Sequence, residues 1–204
     1  MAYTTDEQLQ VDEIKNWWKE NGKVIIFAVI LAILGVLGWR YWQQSQTEKI
    51  YQTSTNFDQV VALYQQDPQT NVEQLEQFSK NYPDTSYAVF ALLIEAQNAV
   101  TSGNFTQAEA ALTQALSNTR YPTLVSIIAL RLAAVQIQLN QFDAATASLA
   151  LVKESSWQGR KAILSGDIAM AKGDLVAAKQ AYQTALETAN PFEMQWLKIR
   201  LNNL

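Results

Sequence analysis

Residues 103 to 116 read GNFTQAEAALTQAL, and residues 173 to 186 read GDLVAAKQAYQTAL. Aligned on the leading glycine, the two strings share alanine at the fifth, eighth and twelfth positions that follow: Ala108, Ala111 and Ala115, then Ala178, Ala181 and Ala185. A larger residue stands at the ninth position, Leu112 or Tyr182, and a leucine at the thirteenth, Leu116 or Leu186. A less regular copy begins at Asn140, with Phe142, Ala145, Ser148, Leu149 and Val152 in register, so that the starts lie 37 and 33 residues apart. On a helix the small positions fall along one face and let a neighbouring helix approach, while the larger residue fills the gap between them. Seven residues ahead of each start comes another small residue, Ala96, Ala133 or Gly166, expected where the preceding helix crosses. A glycine inside a helix costs about 1 kcal/mol relative to alanine, so close packing is the justification for Gly166.

A spacing of this size is near the roughly 34-residue period of tetratricopeptide helix hairpins. The pattern predicts hairpins at about 85 to 117, 122 to 153 and 157 to 188, then a helix from Pro191 to Asn202, with Pro122 and Pro191 opening the helices they begin. A stack of hairpins needs its ends covered. Phe192, Trp196, Ile199 and Leu204 are expected to seal one end. At the other, a helix over 50 to 66 ends at Asp67-Pro68, because the residue before proline is pushed out of helical geometry. A second, over 71 to 81, carries Val72, Leu75 and Phe78 on one face, and Asp84 or Thr85 would cap the helix after it. The soluble part is rich in Ala, Leu and Gln and poor in Gly and Pro, which is helical composition.

Ahead of the repeats lies KVIIFAVILAILGVLGWRYW, Lys23 to Trp42. As a helix it is apolar on every side, so it belongs in lipid or in a protein core. The uncharged run, Val24 to Trp39, is 16 residues, about 24 Å at 1.5 Å per residue against a hydrocarbon core of about 30 Å. Lys23 and Arg40 can reach outward, and Trp17, Trp18, Trp39, Tyr41 and Trp42 suit the headgroup level, which supplies the missing length. The acidic leader and the bulky residues that follow argue against a cleaved signal peptide. The reading is a tail at 1–22, a transmembrane anchor at 23–42, linking and capping helices at 43–84, and repeats with a C-terminal capping helix at 85–204. Lys15, Lys19 and Lys23 precede the anchor and Arg40 and Lys49 follow it, a slight bias toward a cytoplasmic N-terminus. Ala28, Ala32 and Gly35 share one face, where a second membrane helix can approach closely.

Composition narrows the function. With no His and no Cys in 204 residues, the usual ligands for zinc, haem and iron-sulfur clusters, the imidazole base and the thiolate nucleophile are missing. Acidic residues such as Asp58, Glu95, Asp143 and Glu187 are scattered, so a hydrolase built on a carboxylate pair has no support. No catalytic, cofactor-binding or metal-binding residue is expected. The net charge is −4 with both signs interspersed, which leaves no basic footprint for nucleic acid.

An array of hairpins exposes a surface made by the first helix of each. The pattern places Phe90, Leu93, Gln97 and Val100 there, then Ile127, Leu130, Ala134 and Ile137, then Arg160, Ile163, Asp167 and Met170. Most are apolar, which suits capture of a peptide segment; alternatively the C-terminal helix fills the groove. Aspartate at Leu93 or Leu130 is expected to weaken capture while the domain stays helical. An exposed hairpin face leaves room for a weak homodimer.

Several stretches together carry a family resemblance: ENGK at Glu20 to Lys23, LGWRYW closing the anchor, SYAVFALLIEAQ, LRLAAVQIQL, Trp157, LSGDIAMAKGDLVAAKQAY and the closing LKIRLNNL. From about Val11 to Leu204 the chain resembles the YfgM-like ancillary SecYEG translocon subunits of Gram-negative bacteria, most loosely over Thr53 to Gln77. The resemblance implies an inner-membrane protein with a cytoplasmic N-terminus and a periplasmic repeat domain. It further implies association with the SecYEG channel and with a membrane-anchored periplasmic chaperone of the prolyl-isomerase-like type, and no catalytic residues. A scaffold for envelope assembly or cell division would share the same architecture.

Overall fold

The computed structural model describes residues 5–204, with side chains from residue 10 onward except Gln69. Nine α-helices follow one another, with no strand among the described residues: α1 (Thr5–Gln66), α2 (Pro68–Asn81), α3 (Ser86–Thr101), α4 (Phe105–Ser117), α5 (Pro122–Gln138), α6 (Phe142–Ala150), α7 (Gln158–Ala171), α8 (Leu175–Leu186) and α9 (Pro191–Asn202). A short 3₁₀ turn, Ser155–Trp157, precedes α7. The chain divides into two compact units within α1, Met1–Gln52 and Thr53–Leu204.

In the first unit the apolar run is helical throughout, and Val24, Phe27, Leu31, Leu34 and Leu37 all stand exposed. Among the described residues this is the helix long and apolar enough to cross a membrane. Among the described residues no protein core covers these side chains, and lipid is a solvent that accepts an all-round apolar surface. Trp39 and Trp42 lie with ring centroids 5.3 Å apart at the end of the run. The helix also extends back through the acidic leader to Thr5.

The second unit is the hairpin stack. The three repeat starts are three copies of one turn. Gly103, Asn140 and Gly173 all have positive φ, 74°, 59° and 79°, a region that glycine enters freely and asparagine tolerates. The next backbone N–H in each turn closes the helix in the same way: Asn104 N–H donates to the Ala99 carbonyl (2.8 Å), Gln141 to Gln136 (2.8 Å) and Asp174 to Ala169 (2.9 Å). Asn104 and Asp174 then cap the following helices by accepting from Gln107 N–H and Ala177 N–H. Thr85 caps α3, and Asn190 with Glu193 forms a complete capping box on α9.

Packing follows the repeat. Ala96, Leu112 and Ala115 join Ile128 and Leu132 in one buried cluster; Ala133, Leu149 and Val152 join Ile168 in a second; Ile163, Tyr182 and Leu197 form a third. Ser148, which replaces alanine at the eighth position, is buried and donates to the Gln136 side-chain carbonyl (2.8 Å), while the Gln136 amide donates to Glu109 (3.2 Å). A buried amide satisfied at both ends ties α4, α5 and α6 together.

At the N-terminal end of this unit, Leu75, Phe78 and Ala91 are buried beneath Phe57, Val60 and Tyr64. The C-terminal end departs from expectation. Phe192 and Ile199 are 81% and 62% exposed, whereas Leu197 is fully buried, and Trp196, Leu201 and Leu204 pack beside it. The helix is rotated so that Arg200 faces inward. Its guanidinium donates to Asp167 and to the Tyr182 hydroxyl (2.8 Å), and stacks over the Trp196 ring at 4.2 Å.

Between α2 and α3 sits the carboxyl of Glu95, pushed up to about 7 by burial and by the neighbouring Glu76, against weaker lowering by Ser79 and Lys80. The folded state therefore holds a proton that the unfolded chain, with the ordinary value of 4.5, has already released. Stability is fully present below about pH 4.5 and falls as the pH rises to about 7. Allowing for partial solvent exposure, the loss is about 1–2 kcal/mol. Glu95→Gln, which can still accept from Ser79, is expected to recover that amount at pH 8 and to flatten this part of the profile. Urea unfolding of the full chain in detergent micelles at pH 5 and pH 8 measures it; an unchanged slope in the variant would assign the pH dependence elsewhere.

Candidate partner-binding groove

The first helices of the hairpins, α3, α5 and α7, present the face predicted for partner capture, and two adjoining hollows open on it. The first, about 570 Å³, lies between α3 and α5, where Leu93, Gln97, Val100 and Ala134 line it together with Phe105 and Leu112 of α4. The second, about 490 Å³, lies between α5 and α7 and gathers Ile127, Leu130, Ala134, Arg160 and Ile163 around Trp157 and Leu164. Both arise because α3, α5 and α7 lean on the second helices of their hairpins more than on each other, which leaves troughs floored by side chains of the core clusters.

Four candidate residues line neither hollow. Phe90 is 39% exposed and turns toward Phe57, with centroids 6.4 Å apart. Ile137 packs against the second core cluster. Met170 is exposed. Asp167 is engaged by Arg200 and accepts from the Tyr182 hydroxyl at 2.7 Å. Burial also grades along equivalent positions: Leu93 is half-buried, but Leu130 and Ile163 are only 8% exposed and act as floor rather than rim.

The C-terminal helix covers only the end of this face. Arg160 pairs with Glu193 at 2.8 Å, and Asp167 with Arg200, but no residue of α9 lines either hollow. Desolvation lowers the Arg200 guanidinium and raises the Tyr182 hydroxyl, as expected for a polar knot closing an otherwise apolar layer.

Arg131, Gln138, Trp157 and Leu164 also line the hollows and carry no mark in the repeat pattern. Arg131 is one residue past Leu130 and contributes to both hollows; the equivalent positions in the other hairpins hold Ile94 and Leu164, so the repeat gave no signal for a charge there. Among the described residues no group of three or more His, Cys, Asp or Glu is placed to share a metal ion. In the anchor, Ala28, Ala32 and Gly35 are exposed, and a Cβ built on Gly35 would meet nothing within 4 Å.

A family model described as a tetratricopeptide repeat-like domain matches residues 15–204. A protein of Haemophilus influenzae named ancillary SecYEG translocon subunit is 48% identical over 204 residues, covering the whole of both chains. The chain belongs to the ancillary SecYEG translocon subunit family. A protein of the same name from Aggregatibacter actinomycetemcomitans is also 48% identical over the full length of both chains. The Escherichia coli protein of that name is 32% identical over 100% of this chain and 99% of its own. For a member of the ancillary SecYEG translocon subunit family, the parts that recur as a unit are thus the apolar N-terminal helix and the hairpin stack, since the family model runs through both.

Proposed function

We propose that this protein is a single-pass inner-membrane adapter that associates with the SecYEG translocon and acts as a non-catalytic co-chaperone during protein export. The N-terminus lies in the cytoplasm and the repeat domain in the periplasm, where the α3–α5–α7 face holds a membrane-anchored chaperone of the prolyl-isomerase-like type. The observation that carries this reading is an apolar groove left uncovered by the chain's own C-terminal helix, in a chain that also bears a lipid-compatible anchor. Tethering raises the effective concentration of the groove beside a membrane complex, so modest contacts suffice. The names of the full-length relatives supply the complex, and the three-to-two distribution of basic residues around the anchor agrees with the orientation. The small-residue strip on the anchor offers a translocon helix a close approach.

Photo-crosslinkers at Val100 and Ile127 in the groove and at Ala32 in the anchor, activated in intact membranes with mass-spectrometric identification, test it. The anchor is expected to capture translocon subunits and the groove a periplasmic chaperone. Division or cell-wall proteins alone would move the assignment to an envelope scaffold, and cytosolic partners alone would reverse the topology. Val100, 41% exposed at the rim of the first hollow, can accept a charge without entering the core. Val100→Asp is expected to reduce groove capture about tenfold, equivalent to about 1.4 kcal/mol, with unchanged helicity by circular dichroism.

A further inference from the structure

Arg131 is exposed, yet it lines both hollows and, with Ala134, forms the seam between them. The other charges on this face are taken: Arg160 by Glu193 at 2.8 Å and Asp167 by Arg200. Arg131 has no ion-pair partner among the described residues. A guanidinium offers a planar fork suited to a carboxylate, and here it stands between two apolar cavities in a chain of net charge −4.

The spacing sets the rest. The hollows lie on either side of α5, whose diameter with side chains is about 10–12 Å, a span that roughly four residues of extended chain cover at about 3.3 Å each while keeping the two end side chains on one face. Gln97 and Gln138 line the first hollow and can bond the open backbone groups that an extended segment presents and a helix does not. We infer that the groove takes an extended peptide segment with two large apolar side chains four residues apart and an Asp or Glu midway between them on the same face, whose carboxylate pairs with Arg131. The inference rests on the proposed use of this face for partner capture and names the chemistry of the occupant.

The test selects a randomised peptide display library on the full chain in lipid nanodiscs, beside Arg131→Glu and Arg131→Gln, whose exposed position leaves the core intact as checked by circular dichroism. The unaltered chain is expected to enrich the apolar–acidic–apolar pattern, and Arg131→Glu to enrich Lys or Arg at the central position. A synthetic selected peptide is expected to bind about tenfold more weakly once its carboxylate is changed to the amide, and Arg131→Gln to abolish that difference. Apolar enrichment without an acidic residue, or an acidic preference that survives Arg131→Glu, overturns the pairing while leaving the groove as a binding face. Apolar positions seven residues apart would mark a helix and overturn the extended form. No enrichment, together with silent crosslinkers at Val100 and Ile127, removes the groove reading itself.

Discussion

Leu130→Asp is expected to destabilise the repeat domain by about 5–7 kcal/mol, enough to unfold it near room temperature where its margin is at the low end of the usual range, or to leave only its end helices ordered. Leu130 is 8% exposed and belongs to the buried cluster with Leu149, Val152 and Ile168. Removing a buried leucine costs about 2–5 kcal/mol, and the carboxylate adds the penalty of a charge with no partner in that cluster, or of the proton needed to neutralise it. The margin of a domain this size is about 5–15 kcal/mol. Leu93→Asp, at the equivalent position, should behave differently because Leu93 is only half-buried: it is expected to cost about 1–2 kcal/mol and keep the domain helical. Urea unfolding of both variants, followed by far-ultraviolet circular dichroism, separates them. Equal stability would mean that α5 sits no deeper than α3 and that Leu130 is a rim residue after all. The expectation that aspartate at either position leaves a helical domain therefore does not carry to Leu130.

Gly166→Ala should lose about 2–3 kcal/mol even though alanine is the better helix former by about 1 kcal/mol. A Cβ at Gly166 would meet three atoms of the Tyr182 ring at less than the 3.0 Å that real Cβ contacts respect. The ring cannot swing away, since Tyr182 is 1% exposed and its hydroxyl is held by Asp167 and Arg200. The repeats show the compensation directly. Where the ninth position is Leu112 or Leu149, the facing small residue is Ala96 or Ala133; where it is Tyr182, the facing residue has given up its methyl. Adding Tyr182→Leu to Gly166→Ala should therefore restore part of the stability, and thermal unfolding of the single and double variants reads the coupling. An additive pair would show that ring and glycine are not in close contact.

These residues also show why so much of the fold was legible. The small and large positions, the turns at Gly103, Asn140 and Gly173, and the break at Asp67-Pro68 are local signals, each set by steric rules acting within a few residues. The orientation of α9 was not. Its apolar side chains, Phe192, Met194, Trp196, Leu197, Ile199 and Leu201, go most of the way around the helix, so no stripe marks the buried face; the choice depends on Arg200 reaching Asp167 in the last hairpin. The groove was partly legible for the same reason. Repeat position brought Leu93, Gln97, Val100, Ile127 and Ile163 to the face where the two hollows open, but it could not reveal that α9 would claim Asp167. Nor could a periodic pattern point to Arg131, a charge that occurs in only one of the hairpins.

Nearly all the buried apolar residues of the second unit fall into four separate clusters, each shared between neighbouring helices rather than gathered at one centre. A domain of that kind has no middle on which every residue depends. Its length is therefore an evolutionary variable: duplicating or deleting one hairpin adds or removes a whole unit of binding face and asks only the two flanking contacts to re-form. Selection can lengthen or shorten the reach of such a surface without redesigning the rest, while the polar knot of α9 ends the stack wherever the last hairpin happens to fall.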